Sequence, residues 1–506
     1  MGTEIELKLL IDRASLAKLR RHPLVKSLCG SKPVRQKLHS VYFDTPEQDL
    51  RRNGVALRLR RAGSRWTQTV KGGGRVQAGL HQREEVEARV AANVPDFDKI
   101  VDPGLLRLFT RELRHRLRPA FVTDFWRTAW LLEFPQGERV ELALDLGEIR
   151  AGDGRAAIGE LELELKAGST ARLFEFALEL QQDIPLRIEN RSKADRGYGL
   201  LNPAGPPVLR AAPPRLSRRM GANEALREIL WECLTHLQDN ANGVLYGAVP
   251  ESLHQMRVAV RRLLSALRLA GSVAAEAPPA EISEGLRWLM SEFGPARDWD
   301  VFLGETLPPI LAHFSDHSGL AALRREVLGL RDASRQTARE AVGSQRYTRL
   351  VLAFGGWLAA ERWGRSPGAP GAGPVTGLAR DLLRTRHRQI VKRGKGLAGL
   401  DAGERHRLRI AAKKMRYSLE FFAGLYPRKA VDPYLKALTA LQDRLGLLND
   451  AAVTRSLLDG IELPRRDLAA AEARGIVAGW VECRAAQELR KMGKAWGNFK
   501  QSRAFW

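Results

Sequence analysis

Cysteine is almost missing from this chain of 506 residues: Cys29, Cys233 and Cys483 are the only three. They stand far apart and in no metal-ligand spacing, which excludes a disulfide framework and a thiolate metal centre. Small buried residues in a reducing compartment are the expected reading. Long apolar runs are missing too. No stretch of about 18 apolar residues occurs, so no helix is expected to span a membrane. No signal peptide is visible, since Met1 leads straight into a charged segment. A cytoplasmic protein is expected. Aromatic residues make up only 7% of the chain. Acidic residues are the last shortage: 58 Asp and Glu stand against 82 Lys and Arg, for a net charge of +24. Such an excess points to a polyanionic partner, whether nucleic acid, an anionic membrane surface or polyphosphate. Arg-rich codon usage would supply part of it without any partner.

The excess is uneven. Residues 1–205 carry 35 Lys/Arg and 28 Asp/Glu, and residues 206–506 carry 47 and 30. The same division separates two kinds of pattern. Residues 1–202 read as short alternating strands at 38–44, 55–61, 65–71, 82–90, 121–133, 139–149 and 158–166, with helices over 13–28 and 169–183. Residues 203–218, rich in Pro, Gly and Ala, read as a linker. From 219 to 506 the apolar spacing is helical nearly throughout. A second Pro/Gly/Ala break, Ser366 to Pro374, divides this region into repeats over about 219–365 and 378–500. His254, Arg257, Arg261 and Arg262 recur as His406, Arg409, Lys413 and Lys414, each 152 positions later. Leu289, Gly294 and Asp298 recur at the same offset as Leu441, Gly446 and Asp450. An ungapped register of this length marks a duplicated helical bundle. The expected fold class is α+β, with an N-terminal β-barrel carrying helices and a C-terminal all-α duplicated bundle.

Glu4-Ile5-Glu6-Leu7-Lys8 has a near copy in Glu160-Leu161-Glu162-Leu163-Glu164-Leu165-Lys166, 156 residues on. Side chains of a strand alternate between faces, so each segment puts its charge on one face and its Ile and Leu on the other. Arg58 and Arg60 share a face in the same way. So do Thr67, Thr69 and Lys71, then Arg83, Glu85 and Glu87, and finally Glu141, Ala143 and Asp145. One such strand usually marks a solvated sheet face. Five or six in one segment need a common cover for their apolar sides. A barrel lined with charge and wrapped in apolar surface provides it. Paired carboxylates in that interior suit a hard divalent cation, Mg2+ or Mn2+. Arg and Lys suit phosphate oxygens. Together they suit metal-assisted cleavage of a phosphoanhydride.

Glu4-x-Glu6-x-Lys8 resembles the ExExK signature of the CYTH, or triphosphate tunnel metalloenzyme, family. The resemblance runs over about residues 1–200. It takes in Tyr42-Phe43-Asp44-Thr45, Leu57-Arg58-Leu59-Arg60, Thr69-Val70-Lys71, Glu160 to Lys166, and Ser192-Lys193-Ala194-Asp195-Arg196-Gly197-Tyr198. It implies an eight-stranded antiparallel tunnel that hydrolyses or cyclises triphosphates. Glu4, Glu6, Glu162 and Glu164 would then hold Mg2+ or Mn2+. Glu160, Glu162 and Glu164 share a face, so which two of them bind metal stays open. Lys8, Arg58, Arg60, Lys71, Arg127 and Lys193 would hold the phosphates, with Arg196 nearby. Glu85, Glu87 and Asp145 would be further tunnel acids that orient water. The catalytic set implied is Glu4, Glu6, Lys8, Glu85 and Asp145.

On a helical wheel His254, Arg257 and Arg261 fall within about 60° of one another, flanked by Arg262 and Arg268. Met256, Val260, Leu263, Leu264 and Leu267 gather opposite. The second copy repeats the stripe with His406, Arg409, Lys413, Lys414 and Arg416. A charge run is commonly a solvated face. Its repetition in register favours a groove for a long polyanion. Trp288, Trp299 and Trp363 read as core. Few aromatics stand beside the basic residues, which disfavours single-stranded nucleic acid. With Arg297-Asp298-Trp299-Asp300 and Asn449-Asp450, the stripes resemble the CHAD family over about 219–500. That helical domain often follows CYTH and is associated with inorganic polyphosphate. Asn449 and Ala452 stand in the second copy where Arg297 and Asp300 stand in the first, so the acidic motif is weaker there.

The two resemblances imply a cytoplasmic hydrolase that cleaves inorganic triphosphate to diphosphate and phosphate. They also imply polyphosphate binding by the helical region and an association with polyphosphate granules. An adenylate cyclase, or a thiamine or nucleoside triphosphatase of the same class, would need a base-recognition pocket, and the sequence gives no sign of one. A non-enzymatic scaffold for polyphosphate or nucleic acid is the remaining alternative.

Overall fold

The computed structural model describes residues 2–202, 205–247, 249–271, 277–360, 373–461 and 468–506. Pro203 and Ala204 of the expected linker, residues 366–372 of the second break, and Trp363 lie outside the described residues. Eight strands form a closed antiparallel barrel: β1 (Gly2–Ile11), β2 (Val34–Asp44), β3 (Val55–Ala62), β4 (Arg65–Gln77), β5 (Leu80–Val90), β6 (Arg118–Glu133), β7 (Arg139–Ala151) and β8 (Gly154–Ala167). The order around the ring is β5-β4-β3-β2-β6-β7-β8-β1, and β1 pairs with β5 to close it. A ninth strand, β9 (Leu186–Ile188), pairs with the end of β1.

Register decides which side chains meet inside. Lys8 stands opposite Glu162, and Glu6 opposite Glu164. Arg127 stands opposite Asp145, and Asp145 opposite Glu160. The intervening residues point outward and are apolar. Leu7, Leu9, Leu57, Leu59, Leu142, Leu144, Leu161 and Leu163 are all buried. The outside of the barrel is therefore its hydrophobic face, and helices cover it. On one side the cover includes Leu50, Ile100, Leu105, Phe109 and Leu117. The helix Ala171–Gln181 buries Leu173, Phe174, Phe176, Ala177 and Leu180. Each such Leu or Phe is worth about 1.5–3 kcal/mol when fully buried.

Two expectations need correcting. The helix expected over 13–28 is two helices, Leu16–Arg21 and Pro23–Leu28. Pro23 holds His22 extended, at φ −59° and ψ 126°, which ends the first helix and starts the second. Of the three cysteines only Cys233 is buried, whereas Cys29 is half-buried and Cys483 exposed.

The chain folds into two compact units, Met1–Pro207 with Gly343–Glu361, and Val208–Val342 with Arg362–Trp506. The first unit thus takes a helix, Gln345–Ala359, from the middle of the helical sequence. This helix packs on Ala171–Gln181, where a Cβ at Gly355 would stand 2.4 Å from the Phe174 ring. The Gln181 amide also donates to the Gln345 backbone carbonyl at 2.9 Å. The second unit is helical. Its main helices are Ala222–Asp239, Pro250–Ala270, Ala280–Val301, Ser318–Gly343, Val375–Arg393, Ala402–Phe422, Arg428–Asp459 and Leu468–Gln501. Among the described residues no helix is long and apolar enough to cross a membrane. Trp299 is in the core with Phe302 and Val477, and Trp288 is half-buried.

Candidate functional site

The inward faces of the strands enclose a cavity of about 260 Å³. Of the expected site residues, Glu4, Glu6, Lys8, Arg58, Arg60, Lys71, Glu85, Glu87, Arg127, Glu162, Glu164 and Lys193 line it. Most of the cations are held by carboxylates. The Lys8 ammonium lies 2.8 Å from Glu6 and 2.5 Å from Glu162. Burial alone would lower its pKa, but Glu162 and Glu6 outweigh that and raise it. Lys71 lies 2.5 Å from Glu4 and 3.1 Å from Glu85. Arg58 donates to Thr69 Oγ1 at 3.0 Å and stands 3.6 Å from both Glu85 and Glu87.

Arg60 is different. Its hydrogen bond is to Ser40 Oγ at 3.4 Å, and no carboxylate pairs with it among the described residues. Its pKa is pushed down to about 10, first by burial and then by Arg58 and Arg127. Arg60 is half-buried, and its counter-charge, Asp145, acts from beyond ion-pair distance, so the cation is poorly compensated. A phosphate oxygen in the cavity would relieve it.

Three expected residues do not line the cavity. Asp145 is fully buried behind it. It accepts from Arg127 Nε and Nη2 at 2.7 Å each and pairs with Lys193 at 2.8 Å. Glu160 is equally buried, 2.6 Å from Lys193 and paired with Arg196. Arg196 is spent on Glu160 and the Ala157 carbonyl. These residues hold the walls rather than face the space.

The carboxylates fall into two groups. Asp145, Glu160 and Glu162 have oxygens within 4.8 Å of one another. However, the Lys193 ammonium already sits 2.8, 2.6 and 2.8 Å from them. Glu162 has both oxygens taken, Oε1 by Lys8 and Lys193 and Oε2 by Arg127. A lysine fills that position, and a divalent ion would have to displace it. Glu4, Glu6 and Glu164 face the cavity instead. Burial holds Glu164 above the usual carboxylate range, and Glu4 and Glu141 add to this against the pull of Lys166. Each of the three also has a lysine partner, Glu4 with Lys71 at 2.5 Å, Glu6 with Lys8 at 2.8 Å and Glu164 with Lys166 at 2.6 Å. Such carboxylates at the edge of open space suit a hard divalent cation.

Polar lining residues that sequence reasoning gave no role are Tyr42, Arg83, Lys166 and Ser192. Lys166 continues the alternation of Glu160, Glu162 and Glu164 by one step, which could have found it. Ser192 caps the helix Lys193–Leu201 through Asp195 in a capping box, a pattern legible in Ser192-x-x-Asp195. Tyr42 stands in the Tyr42-Phe43-Asp44-Thr45 motif of the resemblance, which gave it no role of its own.

In the helical unit the two basic stripes meet only in part. Arg257 donates to the Phe293 and Gly294 carbonyls at 2.9 and 2.6 Å, and Asp298 lies 3.8 Å away. His254 is pushed down to about 4 by burial and then by Arg297. From the second copy, Lys413 is pushed down to about 7 by burial first, then by Arg409 and Arg261. Arg257, Arg261, Arg409 and Lys413 therefore form one cluster drawn from both repeats, with Asp298 and Asp450 beside it. His406 is exposed and pairs with Asn449 at 3.3 Å. Arg262 is not on the stripe. It is 1% exposed, above the Phe421 ring, with Nη2 donating to the Ala212 carbonyl at 3.4 Å. Lys414 faces Arg268, Arg386 and Arg393 instead, and Arg416 is exposed and paired with Glu420 at 3.0 Å.

Residues 2–198 match the CYTH domain family, and residues 228–459 match the CHAD domain family. A Haemophilus influenzae protein named inorganic triphosphatase is 36% identical over 165 residues, which is 32% of this chain and 45% of that one. The match thus spans under half of that relative's length. An uncharacterised Mycobacterium tuberculosis protein is 28% identical over 456 residues, covering 84% of this chain and 82% of its own. The crystal structure of the CHAD domain from the plant Ricinus communis covers 60% of this chain and 99% of that one, at 39% identity and a TM-score of 0.53.

Proposed function

We propose, for a chain that belongs to the CYTH family over residues 2–198 and to the CHAD family over residues 228–459, that the barrel hydrolyses inorganic triphosphate to diphosphate and phosphate. The observation that carries this reading is Arg60, a half-buried cation facing the cavity with no carboxylate within ion-pair distance among the described residues. The name of the 36% identical relative supports the substrate. Arg58, Arg60, Arg127, Lys8, Lys71 and Lys193 bind phosphate oxygens. Glu4, Glu6 and Glu164 would hold Mg2+ or Mn2+, with Glu162 anchoring Lys8, Lys193 and Arg127. Such an ion would neutralise phosphate charge and polarise the bond to be broken. Water attacks a terminal phosphorus, the bond to the bridging oxygen breaks, and diphosphate leaves. Glu85, at the wall beside Lys71, accepts the proton of that water. Asp145 and Glu160 act through Arg127, Lys193 and Arg196 as positioning residues.

In the helical unit the Arg257, Arg261, Arg409 and Lys413 cluster binds inorganic polyphosphate and brings the enzyme to polyphosphate granules in the cytoplasm. Lys413, lowered first by burial and then by its cationic neighbours, is what an anion chain would relieve.

Replacing Glu4 and Glu6 together with Ala tests the barrel assignment. Phosphate release from triphosphate should vanish while the circular dichroism spectrum remains that of the folded parent chain. A double variant with full activity would sink the metal site.

A further inference from the structure

The barrel interior is divided along its length. One part is the charged cavity. The other is filled by Leu38, Phe121, Phe125, Ile149, Ile158, Ala194 and Tyr198. Tyr42 belongs to both, since it lines the cavity and is only 6% exposed within the apolar cluster. Its ring stacks on Phe121, with centroids 4.5 Å apart and planes 18° from parallel. Phe121 in turn meets the Tyr198 edge at 5.0 Å. The helix Lys193–Leu201 presses on the same ring, where a Cβ at Gly197 would come within 2.3 Å. The Tyr42 ring is therefore fixed, and its hydroxyl has one direction in which to act.

That direction is the cationic end of the cavity. Tyr42 stands opposite Arg58 across the β2–β3 pair, and Arg60 is opposite Ser40, two residues along. The phenol oxygen lies within hydrogen-bond reach of Arg58 and within electrostatic reach of Arg60. A guanidinium donates to a phenol oxygen, which leaves the O–H proton free to donate onward. A terminal phosphate carries more charge and one more non-bridging oxygen than a phosphate inside a chain or ring. It can use every donor at that end.

We propose that Tyr42 reads the terminal phosphate: its hydroxyl donates to an unsubstituted phosphate held by Arg58 and Arg60, and its ring ends the cavity there. This rests on the triphosphate reading of the barrel and adds a residue that selects a free chain end. Linear triphosphate has such an end, and cyclic trimetaphosphate has the same number of phosphates and none.

Calorimetric binding of both anions without divalent cation tests it. The full chain carries Arg261→Ala and Lys413→Ala to weaken anion binding by the helical unit. Tyr42 is compared with Tyr42→Phe, which keeps the ring and its stacking. The parent should bind linear triphosphate well above cyclic trimetaphosphate. Tyr42→Phe should weaken the linear anion about tenfold, the range of one hydrogen bond to a charged group, and leave the cyclic one unchanged. Equal weakening for both would assign the hydroxyl a structural role and overturn the proposal. So would an unweakened linear anion, or a parent that does not distinguish the two. A parent that binds linear triphosphate selectively yet fails to hydrolyse it with Mg2+ would overturn the enzymatic reading and leave Tyr42's role to the binding ratio.

Discussion

Asp145 is a carboxylate that holds the wall of the proposed phosphate site without lining the cavity. Burial alone would raise its pKa, but Arg127 and then Lys193 outweigh this and lower it. Both of its oxygens accept from Arg127. Removing it leaves those cations with less counter-charge in a dry wall. Asp145→Ala should therefore cost about 3–5 kcal/mol in denaturant unfolding, as breaking a buried ion pair does. A loss under 1 kcal/mol would mean that water enters the wall. The sequence placed Asp145 on the right face and at the wrong depth. Alternation tells which way a side chain points. It does not tell how far along the barrel the cavity reaches, because that depends on register and on where Lys193 arrives. For the same reason Glu160, Glu162 and Glu164 looked alike. One is covered, one is occupied by cations, and one faces open space.

The strands were the most legible elements, since the Glu4–Lys8 segment and each of the seven expected ranges have a longer counterpart among the nine strands of the described residues. β9 and the helices Asp49–Arg52, Pro103–Leu108 and Arg111–Arg116 were not legible, because three to six residues carry no usable period. The helix Gln345–Ala359 was legible as a helix but not as part of the barrel unit. Its apolar stripe fits any apolar surface, and only the close approach at Gly355 specifies Phe174. A larger side chain there would push the two helices apart. Gly355→Val should destabilise the barrel unit by about 1–3 kcal/mol, the usual cost of overpacking, read as a lower melting temperature. An unchanged melting curve would show that the helix is not seated there.

At the scale of the molecule, the charge of +24 is concentrated by folding as well as by composition. Lys413 is half-buried among Arg409 on its own helix and Arg257 and Arg261 on Pro250–Ala270, with Asp450 from Arg428–Asp459 opposing them. Its free-state pKa of about 7 gives a sign to the pH dependence. Polyphosphate favours the charged ammonium. That form dominates below the free-state value, so binding above it must take up a proton. Affinity should fall between pH 6 and pH 8.5 at constant salt, and Lys413→Arg should flatten the profile. A parent profile no steeper than that of Lys413→Arg would remove Lys413 from the site. Salt must be fixed in this comparison, because counterion release alone changes polyanion affinity steeply.

The central claim is that the barrel is a metal-dependent triphosphatase whose cavity takes a bare phosphate chain. The direct measurement is phosphate release from inorganic triphosphate, longer polyphosphate, ATP and thiamine triphosphate, with Mg2+ or Mn2+ and again with a chelator. The structure predicts the highest kcat/KM for inorganic triphosphate, and its loss on chelation. No release from triphosphate, undiminished release after chelation, or a preference for ATP or thiamine triphosphate would contradict it.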